Sequence, residues 1–190
     1  MHRLKRFSCM IVTVIILNGS GYVYAENDNS DIKQEYVTFT EKNNIKTEDM
    51  RKKSQINEDK LKEYLSRVPN LSGIEGALIN AQEEYGVNAI LLLAIIRLES
   101  GNGRSNLATS KNNLGGLVSG GYSVTVYRSF DTKDECVIFM AQLLSENYLN
   151  DSGKFFSGYT LADIAKRYSV SKAWSDLVCS IMYEIQLGLG

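Results

Sequence analysis

The chain holds 190 residues with 21 basic and 22 acidic side chains, a net charge of −1 at pH 7, which is room for one domain with extensions and excludes the concentrated Lys and Arg that phosphate binding needs. Its single histidine is His2, so a chain that loses its first residues cannot run Ser-His or Cys-His nucleophilic catalysis or build a His-bearing zinc centre. Carboxylate chemistry is what remains, with no metal, no cofactor and no nucleic-acid partner expected.

Residues 1–25, MHRLKRFSCMIVTVIILNGSGYVYA, have the three parts of a secretory signal. His2, Arg3, Lys5 and Arg6 form a positive start, Phe7 to Leu17 an apolar core, and Val23-Tyr24-Ala25 a cleavage site at the usual spacing. The apolar core is shorter than the roughly 20 residues a spanning helix needs; an uncleaved membrane anchor is the alternative. Cys9 lies inside this core rather than at its end, so it is not placed for lipid attachment. Cleavage would remove three basic residues, no acidic ones and the only histidine, leaving a net charge near −4. A secreted or cell-wall-associated protein is expected.

Residues 26–57 are polar and mixed in charge, with Tyr36, Val37, Phe39, Ile45, Met50 and Ile56 sparse and without a long period. They read as a flexible stalk, and order is expected over 58–190. Leu61, Leu65 and Val68 share a helical face that Pro69 ends. A second helix spans about 73–85, with Ile74, Ala77, Leu78, Ala81 and Tyr85 inward and Gly86 as its stop. Asn88 caps a third, whose residues 89–96 are apolar on every side and therefore central.

A connector rich in Gly, Ser and Asn follows over 100–116. The alternation in YSVTVYRSF, residues 122–130, suggests one hairpin after Gly120-Gly121. Asp131, with Asp134 three positions on, starts a helix to about Asn147. Thr160 caps a short helix through Tyr168, and Ser171 a last one to Leu187. The expected fold class is mainly α with a small β-hairpin and a central buried helix, preceded by a disordered stalk. Cys136 and Cys179 sit in apolar helical patterns, either as two buried thiols or as a disulfide pair.

The third helix ends in Glu99. A helix C-terminus carries unpaired carbonyls and about half a negative charge, and burial there would disfavour the carboxylate a second time. A carboxyl held in its acid form is what a glycosidase uses to protonate a leaving sugar oxygen. A Glu that simply turns to solvent where its helix stops is the plainer alternative.

The stretch LESGNGRSNLATSKNNLGGL, residues 98–117, resembles the signature of bacterial endo-β-N-acetylglucosaminidases that cut peptidoglycan, glycoside hydrolase family 73. The matching residues are Glu99-Ser100-Gly101, Gly103 and Ser105, Leu107-Ala108, and Asn112-Asn113-Leu114 before Gly115-Gly116. The likeness extends from about Leu71 to Leu187 through IEGALINAQEEYGVNAILLLAII, YRSFDTKDECVIFMAQLLSENY and IAKRYSVSKAWSDLVCSIMYEI. It implies a lysozyme-like domain over 58–190, with Glu99 as general acid and Tyr168 facing it across a glycan cleft. Asn112, Asn113 and Leu114 would line the cleft floor. From the residues themselves, Ser100 and Tyr122 are read as further glycan contacts, and Gly115 either as part of a tight backbone turn or as a point of close glycan approach. The partner implied is the peptidoglycan glycan strand, met by a monomer.

The chain departs from the family in two places. Ser169-Val170-Ser171 replaces a Thr-Asp-Pro turn, and no Asp or Glu occurs from Ser100 to Phe130, where the family often keeps a second acid. The next acids, Asp131, Asp134 and Glu135, suit helix starting. Ordinary glycoside hydrolysis uses two carboxylates, so a single one points to assistance by the substrate's acetamido group, or to internal attack by the muramyl 6-hydroxyl as in a lytic transglycosylase. A muramidase or a non-catalytic glycan-binding module completes the alternatives. Tyr127, Tyr148 and Trp174 are read as packing, Tyr168 and Tyr122 as cleft residues.

Overall fold

The computed structural model describes residues 14–17, 20–23, 30–119 and 126–190. The leader expected over 1–25 lies mostly outside them. Its described parts, β1 (Val14–Leu17) and β2 (Ser20–Val23), pair antiparallel with Val14 opposite Val23. No helix among the described residues is long and apolar enough to cross a membrane. The chain divides into two units, Met1–Phe39 and Thr40–Gly190.

The second unit begins earlier than the expected boundary at Glu58. The expected stalk contains a helix, α1 (Ser30–Thr47). In its last turns Ile45 is buried, Lys46 pairs with Asp176, and Lys42 Nζ donates to Ser180. Met50 is fully buried; its N–H donates to Tyr159 O and its carbonyl accepts from Asn88 N, both at 2.9 Å. Isolated apolar residues without helical period gave no sequence signal, yet two of them fill core sites.

Downstream helices begin where polar side chains can cap them. Asn57 Oδ1 accepts from Lys60 N to open α2 (Glu58–Ser66), which buries Leu61, Tyr64 and Leu65. Pro69 then starts a single 3-10 turn, Pro69–Leu71. α3 (Glu75–Tyr85) closes on Gly86 at φ 62°. Asn88 Oδ1 accepts from the amides of Ile90 and Leu91, both at 3.0 Å, and opens α4 (Ala89–Ser100). Residues 89–96 are all buried, and α3 and two later helices, Lys133–Tyr148 and Trp174–Leu189, pack against α4. Each large apolar side chain removed from water there contributes about 1.5–3 kcal/mol.

The connector carries a short helix the sequence did not signal, α5 (Asn106–Ser110), capped by Ser105. The hairpin pairs β3 (Val118–Ser119) with β4 (Val126–Tyr127), Val118 opposite Tyr127. Its first strand thus precedes Gly120-Gly121 rather than following them. Thr132, not Asp131, caps α6 (Lys133–Tyr148): its Oγ1 accepts from Glu135 N, and the Glu135 carboxylate accepts from Asp131 N.

α7 (Leu161–Tyr168) opens on a capping box of Thr160 and Asp163. α8 (Trp174–Leu189) has no side-chain cap, contrary to the expectation for Ser171, whose carbonyl accepts from Trp174 N instead. Cys136 and Cys179 are free, buried thiols. Burial pushes the Cys136 thiol pKa up to about 11, against opposing backbone donors at Leu114 and Gly115. The described chain is mainly α with one small hairpin in the second unit.

Candidate active site

The end of α4 is built to free one side chain. Ser100 is buried; its hydroxyl donates to Ile96 O and accepts from Gly103 N, both within 2.7 Å, and Gly101 ends the helix at φ 58°. Gly103 has no room for a side chain, since a Cβ would lie 2.8 Å from Asn70 O. Arg97, in the last turn, donates to Asn102 Oδ1 at 2.8 Å, pairs with Glu184 at 3.1 Å and offsets the negative helix end. Glu99 leaves the helix on another face and is exposed. The burial expected for its carboxylate is therefore corrected: the last turn of the greasy helix emerges from the core.

The carboxylate nevertheless has a fixed partner and a concavity. Trp174 Nε1 donates to Glu99 Oε1 at 3.0 Å. Trp174 is itself only 4% exposed, so the donor sits on a rigid wall. Its ring stacks on Tyr168 at 4.7 Å between centroids, and Tyr168 meets Tyr148 at 5.4 Å. A cavity of about 410 Å³ is lined by Glu99 at the end of α4, by Gly115 to Val118 and Arg128 at the hairpin, by Phe139, Leu143 and Tyr148 of α6, and by Tyr168 and Ser169 at the end of α7. Burial, and after it the negative charge of Glu99, push the Tyr168 phenol far above the ordinary tyrosine range. Its hydroxyl stays protonated, a hydrogen-bond donor, at any physiological pH.

Other sequence candidates serve the scaffold. Asn112, at φ 50°, donates through Nδ2 to Phe130 O and Asp131 O, both at 3.0 Å. Asn113 is buried: Nδ2 donates to Leu117 O and Arg128 O, and Oδ1 accepts from Leu117 N. Leu114 is buried with its N–H on Cys136 Sγ. Asn113 and Leu114 are buried and Asn112 half-buried at the base of the hairpin, while Ser100 is buried at the α4 terminus; none of the four lines the cavity, where the sequence placed them as glycan contacts. Gly115 does line the cavity, and a Cβ there would meet Met140 Sδ at 2.9 Å. Tyr122 lies outside the described residues.

Arg128 was missed in the sequence as a cavity residue, and Trp174 as the hydrogen-bond donor to Glu99. Trp174 packs in the core, as expected, and also holds Glu99, two duties that no periodicity separates. Arg128 carried no signal beyond being the one cation in YRSF. Glu99 is the only carboxylate among the described lining residues. Asp134 and Glu135 border a separate apolar hollow with Phe130 and Ile138. No group of three His, Cys, Asp or Glu among the described residues is placed to hold a metal ion.

Residues 75–187 match the family described as mannosyl-glycoprotein endo-beta-N-acetylglucosaminidase. A Streptococcus pneumoniae serotype 4 protein with a provisional endo-beta-N-acetylglucosaminidase name is 32% identical over 139 residues, 67% of this chain and 21% of that protein. A counterpart from a second S. pneumoniae strain has the same identity and is covered to 19%. The chain thus spans about a fifth of the length of these relatives. Among solved structures, a catalytic mutant of S. aureus autolysin E in complex with the disaccharide NAG-NAM superposes with TM-score 0.62 at 20% identity, covering 93% of this chain and 86% of that one. Autolysin E itself gives 0.57 at 20% identity, covering 94% and 85%. These likenesses show a shared lysozyme-like fold.

Proposed function

Because the chain belongs to the mannosyl-glycoprotein endo-beta-N-acetylglucosaminidase family, we propose that it hydrolyses β-1,4 bonds of peptidoglycan glycan strands, cutting after N-acetylglucosamine. The observation that carries this reading is the Glu99 carboxylate, held by the Trp174 N–H at the edge of a cavity that Tyr168 also lines. The names of the pneumococcal relatives and the NAG-NAM ligand of the autolysin E mutant support the same substrate class.

In this reading Glu99 protonates the leaving glycosidic oxygen. A glycan seated between the hairpin and the aromatic wall displaces water from the carboxyl, and a carboxyl shielded in this way serves as proton donor. With no second acid among the described lining residues, the carbonyl oxygen of the substrate's own acetamido group attacks the anomeric carbon as the glycosidic bond breaks, and water then opens the ring so formed. The Tyr168 hydroxyl, protonated at physiological pH, donates to the sugar and orients it. Gly115 and Gly116 let the backbone approach the glycan closely. The protein acts as a monomer outside the cell, carried there by its N-terminal signal.

The lone carboxylate also favours one rival, in which the muramyl 6-hydroxyl attacks internally. Mass spectrometry of fragments from purified peptidoglycan separates the outcomes. Reducing N-acetylglucosamine ends are expected, anhydro-muramyl ends would mark the transglycosylase, and reducing muramic acid ends the muramidase. Glu99→Gln is expected to keep the fold and lower fragment release by about 10²- to 10⁴-fold. Equal release by both proteins would remove Glu99 from the chemistry.

A further inference from the structure

We infer that Arg128 is a carboxylate-recognition residue, so that the cavity selects the acidic, peptide-bearing muramyl sugar over a neutral oligosaccharide; this rests on the glycan-cleaving reading above. Arg128 is the only cation among the described lining residues, and Glu99 the only anion. The two are not paired, and no ion pair involving Arg128 occurs among the described residues. Arg97 differs, for its guanidinium is taken up by Glu184, Asn102 and the Tyr64 hydroxyl.

The Arg128 guanidinium is nonetheless held in place. Its Nε donates to Val118 O at 3.3 Å, and its Cζ lies over the Phe139 ring at 4.5 Å from the centroid. Its backbone is fixed on both sides, by N–H donation to Leu117 O at 2.9 Å and by the Asn113 amide at its carbonyl. The two terminal amino groups of the fork have no acceptor among the described residues. A half-buried guanidinium pre-set by a backbone carbonyl and an aromatic ring, with its outer fork free, is a bidentate receptor for a carboxylate.

The neighbouring sequence removes competitors. No Asp or Glu lies from Ser100 to Phe130, while Arg104, Lys111 and Arg128 do, so nothing on the hairpin side can neutralise the fork. Proton donation to a glycosidic oxygen does not need this cation, and N-acetylglucosamine offers it no anion. The muramyl sugar does: either its lactyl carboxylate when that is free, or the terminal carboxylate of the peptide amide-linked to it.

Calorimetric titration of the Glu99→Gln protein measures this without consuming the ligand. Three probes are used: a GlcNAc–MurNAc dipeptide with its terminal carboxylate free, the same compound as its carboxamide, and neutral tetra-N-acetylchitotetraose. The free acid is expected to bind roughly tenfold more tightly than the carboxamide, the increment of one charge-assisted pair. Adding Arg128→Gln should bring that ratio to near one, Arg128→Lys should restore part of it, and rising ionic strength should shrink it in the Arg128 protein.

A ratio near one with Arg128 present, or an unchanged ratio without it, overturns the assignment while leaving the hydrolase reading intact. An acid-selective ratio alongside no fragment release by the unmutated chain sinks the hydrolase reading and keeps the arginine's role. No binding of any probe sinks both.

Discussion

Glu99 gains its setting from three side chains that have other duties. Arg97 and Ser100 satisfy the helix end from inside, which leaves the acid free to face outward. Trp174 fills the core and spends its only polar atom on the carboxylate. If that hydrogen bond aims the acid at the glycosidic oxygen, Trp174→Phe keeps most of the packing and loses the aim. Its kcat on peptidoglycan fragments should fall about tenfold with KM little changed, the size of one hydrogen bond to a charged group. A proportional rise in KM with unchanged kcat would instead make Trp174 a sugar platform. Glu99 was legible because an acid at the end of an all-apolar helix is out of place. Trp174 was not, because a buried Trp looks the same in sequence whether its N–H meets a carbonyl, water or a catalytic carboxyl. Asn112 and Asn113 were misplaced for a related reason: a motif names residues, and only coordinates tell a lining side chain from one bracing the loop behind it.

Helices were readable wherever a cap coincided with apolar period, as at Asn88 and Thr160. The element boundaries that failed lacked one of the two signals. α8 starts without a side-chain cap, α5 is too short to show a period, and the first strand of the hairpin is two residues long. α7 matters most, since it ends on Tyr168. Removing its Thr160 cap as Thr160→Ala should cost about 1 kcal/mol of stability, measured by urea unfolding. The partner in the box, Asp163, has opposing influences: burial disfavours its charge, but hydrogen bonds from Lys166 and Thr160 prevail and hold its pKa below the ordinary value. Its stabilising share is therefore present above about pH 3.9, the unfolded value, and is lost as pH falls through the lower folded value. Asp163→Asn should flatten that part of the acid-unfolding curve. An unaltered curve would show that the box contributes nothing through charge.

At the scale of the molecule, what sequence concealed was where the folded body starts. Composition is a mean over a window, and a polar window hides one or two residues with a core site waiting for them. A chain begun at Glu58 would lack Ile45 and Met50 and should lose about 2–5 kcal/mol for a side chain as large as methionine. One begun at Thr40 should melt close to the full chain. Calorimetric scans of the three compare them directly, and equal melting of the shortest would show that the Met50 site collapses without cost.

Met50 also joins two distant events, because its backbone links Asn88, where the Glu99 helix begins, to Tyr159, just before the Tyr168 helix. Upstream of it, the exposed Lys46–Asp176 pair between α1 and α8 is the weaker fastening. A pull along the N-terminal segment would peel α1 first and then load this clasp. If Glu99 and Tyr168 act together as proposed, tension on that clasp would act on both helices that carry them, and stretching the chain from that end should slow the proposed reaction before it unfolds the core.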